Sequence, residues 1–344
     1  MKIVLFCEQK YTISMVKPIH EQAILEGCHE ILWYIHKNNI SEFSLDVPWT
    51  NNINDIYEFS PDAIFVPCNV VPYDLPGVKI QISHGYECGE KRYFRIRDYF
   101  DLYLTQGPYF TDGYKKALKN KRKAEVVETG WSRRDGIIRD LNKYDDYKQD
   151  LLTKYKKEKI VLYAPTFPPS ITSLPYLQEG IQKFVEERDD VLLILKFHPL
   201  TDKKWMKAYE TIANNNKNML WMADVDINKF LLISDVMISD SSSVVFEFLF
   251  LNKPVITFNN ASKVKYWRNI NNPLHLADAF NKEITLDEFA NKRKEAILYF
   301  DPYSDGNSCK RMLTAAQNYI DQFGVPEKRN LGYFRRKKSL KRFK

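Results

Sequence analysis

The sequence predicts an α/β protein of two domains, each built on a parallel sheet. Three observations carry that expectation. Short apolar runs alternate with helical stretches through the first 135 residues, and the alternation restarts near residue 160. Between these halves, residues 139–159 (RDLNKYDDYKQDLLTKYKKEK) are dense in charge and hold neither Pro nor Gly, as an exposed helical connector does. The length, 344 residues, exceeds a single typical core. The expected organisation is a first domain over 1–140, a connector over 141–158, a second domain over 159–325 and a basic aromatic tail over 326–344. The last helix of the second domain could return to the first.

Residues 2–6 read as a buried strand, 17–28 as a helix with Pro18 in its first turn, and 31–35 as a strand. Further short strands are expected over 63–67, 78–82, 102–105 and 126–129, while 37–60 has no decisive pattern. In the second half a strand over 160–163 leads into Ala164-Pro165-Thr166-Phe167-Pro168-Pro169-Ser170, whose prolines fix an extended loop. A helix over 177–185, a strand over 191–197 and a strand starting at 219–222 follow. Residues 227–258 (INKFLLISDVMISDSSSVVFEFLFLNKPVITF) read as helix 227–233, strand 236–238, a polar turn, helix 244–251, a break at Asn252-Lys253-Pro254 and strand 255–258. Helices around 286–300 and 308–323 then flank a turn at 301–306.

The 236–258 stretch is a βαβ unit, so its polar run Ser239-Asp240-Ser241-Ser242-Ser243 lies at a strand's carboxyl end and a helix N-terminus. The first amides of a helix have no intrahelical partners, and such a turn can hold phosphate. Glu247, about one turn further on, could accept hydrogen bonds from a ribose. The competing reading is that Ser242 or Ser243 caps the helix, the commoner role for serine there. Two histidines occupy strand ends: His84 in Ser83-His84-Gly85 and His198 in Lys196-Phe197-His198-Pro199. Position alone leaves each evenly divided between a functional group and a turn residue bonded to backbone. Glu87, Glu90, Lys91 and Arg92 give the His84 turn a mixed-charge rim. Arg133 and Arg134 could meet phosphates, although surface arginines usually do not.

The five cysteines are odd in number, scattered and without metal-ligand spacing, which predicts a cytosolic chain with reduced thiols. No apolar run approaches the roughly 18–20 residues that span a bilayer, and MKIVLFCEQK reads as a first strand rather than a signal peptide. Charge is informative once divided. Residues 327–344 hold nine Lys or Arg and one Glu, a net of +8; subtracting this from +7 for the whole chain leaves −1 elsewhere. Aromatic and leucine side chains interleave with those charges, which favours an anionic membrane surface over a plain solvated tail, and no specific nucleic-acid partner is expected.

Taken together the motifs resemble the CDP-glycerol glycerophosphotransferase family: the teichoic-acid primases and polymerases and their capsule-synthesis relatives. The matches, in order, are His84-Gly85, Gly130 with Arg133 and Asp135, Tyr163-Ala164-Pro165-Thr166, Lys196-Phe197-His198-Pro199, the block from Asp240 to Glu247 with Lys253-Pro254, and Asp305-Gly306 with Arg311. The chain departs from the family's common pattern at Ser241, where an aromatic is usual, at Pro168, where an Arg is usual, and in a later Lys after His84.

The resemblance implies a GT-B architecture, two Rossmann-like domains facing across a cleft, with donor in the second and acceptor in the first. It implies transfer of a polyol phosphate, glycerol phosphate foremost, from a CDP-alcohol to a lipid-linked or capsular glycan acceptor. His84 and His198 would be its catalytic histidines, the first taking the acceptor proton and the second donating to the phosphate or leaving group. Ser242, Ser243, Glu247, Asp240 and Thr166 would bind the donor, and Arg133, Lys91 and Arg311 would contact phosphate or acceptor. No cofactor or metal is expected to be required, with a divalent metal left open, and the expected place is the cytoplasmic face of the cell membrane. The rivals are a GT-B glycosyltransferase using a nucleotide sugar and a non-catalytic membrane-associated scaffold, against which retention of both histidines argues. A nucleotide-sugar 2-epimerase shares the architecture, but its carboxylate-rich motif is not found.

Overall fold

A computed structural model of the chain describes residues 1–83, 85–86, 94–119, 124–223, 227–326 and 331–343. The chain divides into two units, the first formed by Met1–Gly85, Glu90–Arg139 and Tyr299–Lys344, the second by Tyr86–Gly89 and Asp140–Leu298.

The first unit opens with β1 (Lys2–Cys7), whose residues from Ile3 onward are all fully buried, as a central parallel strand requires. There follow α1 (Ile13–Glu26), β2 (Glu30–Ile35), β3 (Trp49–Thr50), α2 (Ile53–Phe59), β4 (Ala63–Val66), β5 (Val78–Ile82), β6 (Leu102–Thr105), α3 (Pro108–Leu118), β7 (Glu125–Glu128) and α4 (Ser132–Arg139). The strands form one parallel sheet in the order β3-β2-β1-β4-β5-β6-β7. One expectation is corrected here. The first helix starts at Ile13 rather than 17, so Pro18 lies inside it instead of in its first turn. Met15, Val16, Ile19 and Ala23 form the buried stripe that holds this longer helix, although a Pro there removes one backbone donor.

The second unit comprises α5 (Asp145–Tyr155), β8 (Lys159–Tyr163), α6 (Leu174–Glu187), β9 (Val191–Leu195), α7 (Lys203–Asn214), β10 (Met219–Trp221), α8 (Asn228–Ile233), β11 (Val236–Ser239), α9 (Val244–Leu249), β12 (Val255–Phe258), β13 (Arg268–Ile270), α10 (Leu276–Thr285) and most of α11 (Ala290–Phe300). Its sheet is also parallel, in the order β10-β9-β8-β11-β12-β13. The expected connector folds as α5 and is held in this unit by a Lys148–Asp235 ion pair of 2.6 Å and by Lys229 over the Tyr147 ring. One face of the sheet is covered by an aromatic cluster in which Tyr163, Phe197 and Tyr209 meet edge to face or tilted.

The second unit ends at Leu298, not at 325. From Tyr299 the chain belongs to the first unit, adding α12 (Ser308–Phe323) and α13 (Tyr333–Lys341). The basic segment is therefore not a free tail. Phe343 packs edge-on to Phe6, Arg342 pairs with Glu8, Arg335 pairs with Asp98, and Leu331 and Ser339 are buried.

Candidate functional site at the carboxyl edge of the second sheet

In the second sheet the chain lays β9 and β10 on one side of β8 and then β11, β12 and β13 on the other. At such a reversal the loops leaving the two central strands part, and ligands bind outside their carboxyl ends in this class of sheet. Thr166 follows β8, the Asp240–Ser243 turn follows β11, and His198 follows the neighbouring β9.

Asp240 is fully buried, and both its oxygens are engaged. Oδ1 accepts from the Thr166 amide at 2.9 Å, and Oδ2 accepts from the Ser173 amide at 2.7 Å and the Ser173 hydroxyl at 2.8 Å. Burial pushes this carboxyl above the ordinary range, and the donors from Ser173 and Thr166 work against that shift. Asp240 thus clamps both ends of the proline-rich loop.

The serine turn is held from its other side. Asn260 Nδ2 donates to the Asp240 carbonyl at 2.6 Å, the Ala261 amide donates to Ser241 Oγ at 2.9 Å, and Asn269 Oδ1 accepts from the Asn260 amide at 2.8 Å. Among the described residues, the hydroxyls of Ser242 and Ser243 make no hydrogen bond. Ser243 stands at the N-cap of α9 with helical backbone (φ −64°, ψ −24°) and no side-chain cap, so the capping alternative is not realised. The helix behind the turn is six residues long, shorter than the 244–251 expected, so little dipole supports it. Glu247 is half-buried one turn into α9.

His198 is exposed, and its Nδ1 accepts from the Leu200 amide at 3.1 Å. That bond assigns the neutral tautomer with the proton on Nε2. Burial of the ring's inner side, aided by the Lys196 ammonium, holds its pKa below the usual imidazole value. The Phe167 ring stacks on it with centroids 4.5 Å apart and planes 25° from parallel. A neutral imidazole so oriented can donate from Nε2 to a phosphate oxygen.

His84 and Lys91 lie outside the described residues. The sequence also carries one Asp-x-Asp, Asp224-Val225-Asp226, likewise outside them. The remaining motif residues of the first unit form a clasp. Gly130 has φ +88°, and a Cβ there would meet Ser308 and Tyr303. Asp135 accepts from the Ser308 and Cys309 amides at 3.1 and 2.7 Å, capping α12. Arg311 donates from Nε to the Thr129 carbonyl at 2.8 Å and from both terminal nitrogens to Asp305 at 2.8 and 3.0 Å. Arg133 lies half-buried with its guanidinium over the Trp131 ring.

The sequence reading missed Ser173, Asn260 and Asn269, which hold the turn but carry no spacing signal, and it passed over Phe167 as loop. It also missed a grouping of Glu26, Cys28 and His29 at the end of α1, whose ligand atoms lie within 4.8 Å of one another.

Two parallel sheets of seven and six strands, each with helical connections, define the GT-B-like class of fold. The chain belongs to the CDP-Glycerol:Poly(glycerophosphate) glycerophosphotransferase family, whose model matches residues 71–316. Among curated proteins it is 26% identical over 251 residues to the teichoic acid glycerol-phosphate primase of Bacillus subtilis, covering 67% of this chain. The chain spans 54% and 61% of the length of two such primases. Among solved structures, the wall teichoic acid polymerase TagF superposes with a TM-score of 0.67 at 18% identity, over 93% of this chain and 89% of that one. A UDP-GlcNAc 2-epimerase from Neisseria meningitidis gives 0.66 at 12% identity, over 92% and 100%. At those identities the two structures speak to the fold alone.

Proposed function

We propose that the chain transfers a polyol phosphate, glycerol phosphate foremost, from a CDP-alcohol to an acceptor hydroxyl in the synthesis of wall teichoic acid or a capsular polymer. One observation carries the reading: in a member of this family, two serine hydroxyls that cap no helix and an imidazole whose Nδ1 accepts from backbone, leaving Nε2 to donate, follow the two strands that flank β8 at one sheet edge. The acceptor oxygen attacks the phosphorus that bears the polyol, the bond from that phosphorus to the bridging oxygen breaks, and CMP leaves. Ser242 and Ser243 hold the pyrophosphate, Glu247 meets the ribose, and Thr166 lines the donor side on the loop that Asp240 fixes. His198 donates to the phosphate or to the leaving oxygen, and His84 takes the acceptor proton. Arg133 and Lys91 are the phosphate or acceptor contacts, while Arg311 acts by holding its turn. Most of the rate enhancement in such a transfer comes from positioning and charge stabilisation, which this inventory can supply.

The acceptor side of the reading places the protein at an anionic membrane. α13 turns Tyr333, Phe334, Lys337, Lys338 and Lys341 to solvent, an aromatic and basic face suited to a lipid interface. Among the described residues no helix is long and apolar enough to cross a membrane.

Isothermal titration of the full chain with CDP-glycerol, CDP-ribitol, CDP and a UDP-sugar tests the donor assignment. CDP-alcohols are expected to bind and the UDP-sugar not to. Binding of the UDP-sugar alone would overturn the reading in favour of a glycosyltransferase.

A further inference from the structure

The structure assigns Phe167 as a positioning residue for His198, seated there by Asp240, which holds both ends of the loop that carries Phe167. The proposal rests on the transfer reading above for its consequence in turnover, though its geometry does not.

The chain of contacts lies wholly within the second unit. Asp240 reaches out from the end of β11 and takes the Thr166 amide on one oxygen and the Ser173 amide and hydroxyl on the other. These two anchors bracket Phe167, and Pro165, Pro168 and Pro169 leave the intervening backbone few alternatives. The Ile171 and Thr172 amides both donate to the Pro168 carbonyl at 3.1 Å, which tightens the loop between the anchors. Tyr163 adds a hydroxyl contact to Ser173 at 2.9 Å beneath it. Phe167 is therefore a fixed shelf, and the His198 ring lies on it at 4.5 Å.

The imidazole has two holds on opposite sides of its function. Leu200 fixes the tautomer through Nδ1, which decides which nitrogen faces out. Phe167 fixes the plane, which decides where that nitrogen points. A donor whose aim wanders by about 1 Å forfeits on the order of 100-fold in rate, so a plane-setting contact matters even though it touches no substrate. Lys196 is the charged residue that acts on His198 among the described residues.

The test uses the full chain, with 13C-labelled histidine followed by NMR and the His198 resonance identified by its loss in His198→Gln. In Phe167→Ala the resonance should lose its ring-current displacement, and its titration midpoint should move up toward that of an ordinary imidazole. Phe167→Tyr should restore both. Asp240→Asn keeps the side-chain shape but replaces an accepting oxygen with an amide NH2 that donates and cannot accept. It should reproduce the Phe167→Ala shifts without touching the histidine. In turnover, Phe167→Ala should lower kcat about 10- to 100-fold while KM for the CDP-alcohol stays within about twofold. An unmoved His198 resonance in Phe167→Ala overturns the proposal, as does an unmoved resonance in a folded Asp240→Asn. A Phe167→Ala variant that loses CDP affinity with His198 unmoved makes the ring a ligand contact instead. Wild-type protein that transfers nothing from any CDP-alcohol defeats the transfer reading and leaves the NMR outcomes to judge the positioning.

Discussion

At the residue scale, the serines and the Arg311 clasp show how one motif string divides into different tasks. Among the described residues the hydroxyls of Ser242 and Ser243 make no hydrogen bond, whereas the nitrogens of Arg311 are committed to Thr129 and Asp305. Replacing both serines by Ala should weaken CDP-glycerol binding by about 1–3 kcal/mol, the usual loss for hydrogen bonds to a charged group. Titration calorimetry on the folded double variant decides it, and unchanged affinity would return the serines to a structural role. Asp305 makes a second case. The Arg311 guanidinium holds its carboxyl well below the usual range, with the Asn307 amide helping. A depressed carboxylate contributes stability that is fully present above its unfolded pKa of about 3.9 and lost as pH falls through the folded value. Asp305 is half-exposed, so the contribution is small, under about 1 kcal/mol. Asp305→Asn should therefore melt slightly below wild type at pH 7, and thermal scans taken at successively lower pH below about 4 should show the gap narrowing.

At the element scale, two helices are capped by residues that sequence motifs present as chemistry. Lys253, from the Lys-Pro pair after α9, donates to the carbonyls of Leu231, Leu232 and Ser234 at 3.1, 2.6 and 2.7 Å, closing the C-terminus of α8. Burial and the nearby Lys148 bring its pKa down to about 8. Lys253→Met should leave three carbonyls without that donor and cost about 1–3 kcal/mol, read as a lowered urea midpoint with CDP-alcohol affinity retained. The other cap is Asp135 on α12. Asp135→Ala should cost about 0.5–2 kcal/mol, the range for loss of a helix cap. Amide exchange should show it first at Ser308 and Cys309, whose N–H groups lose their acceptor.

At the scale of the whole molecule, the first unit is discontinuous: its sheet comes from the start of the chain and its last two helices from the end. Deleting 327–344 is consequently a poor probe of membrane docking, because it also removes Phe343 from Phe6 and Arg342 from Glu8. Phe334→Ser with Lys337→Glu and Lys338→Glu changes only the outward face of α13. Each basic residue near an anionic surface contributes about 1 kcal/mol, less at high salt. The triple variant should lose co-sedimentation with phosphatidylserine vesicles while its melting temperature holds. Equal sedimentation of both proteins at low salt would remove the membrane from the proposed function.

The sequence alone determined the class of fold, because buried parallel strands must be short continuous apolar runs and eleven of these stood out between turn signals. It also placed the serine turn and His198 at strand ends, since a strand's end is written locally by where the apolar run stops. β3 and β13 escaped it, being two and three residues long with no period to detect. The start of α1 escaped as well, since a Pro weighs against a helix interior unless the buried stripe around it is known to outweigh it. What each motif residue does was decided only in three dimensions. Asp240 and Ser173 are separated by 67 positions, Arg311 and Thr129 by 182, and Glu8 and Arg342 by 334. A polar residue in sequence is an unassigned donor or acceptor. Whether it faces a ligand or another segment depends on which distant backbone the sheet order brings beside it.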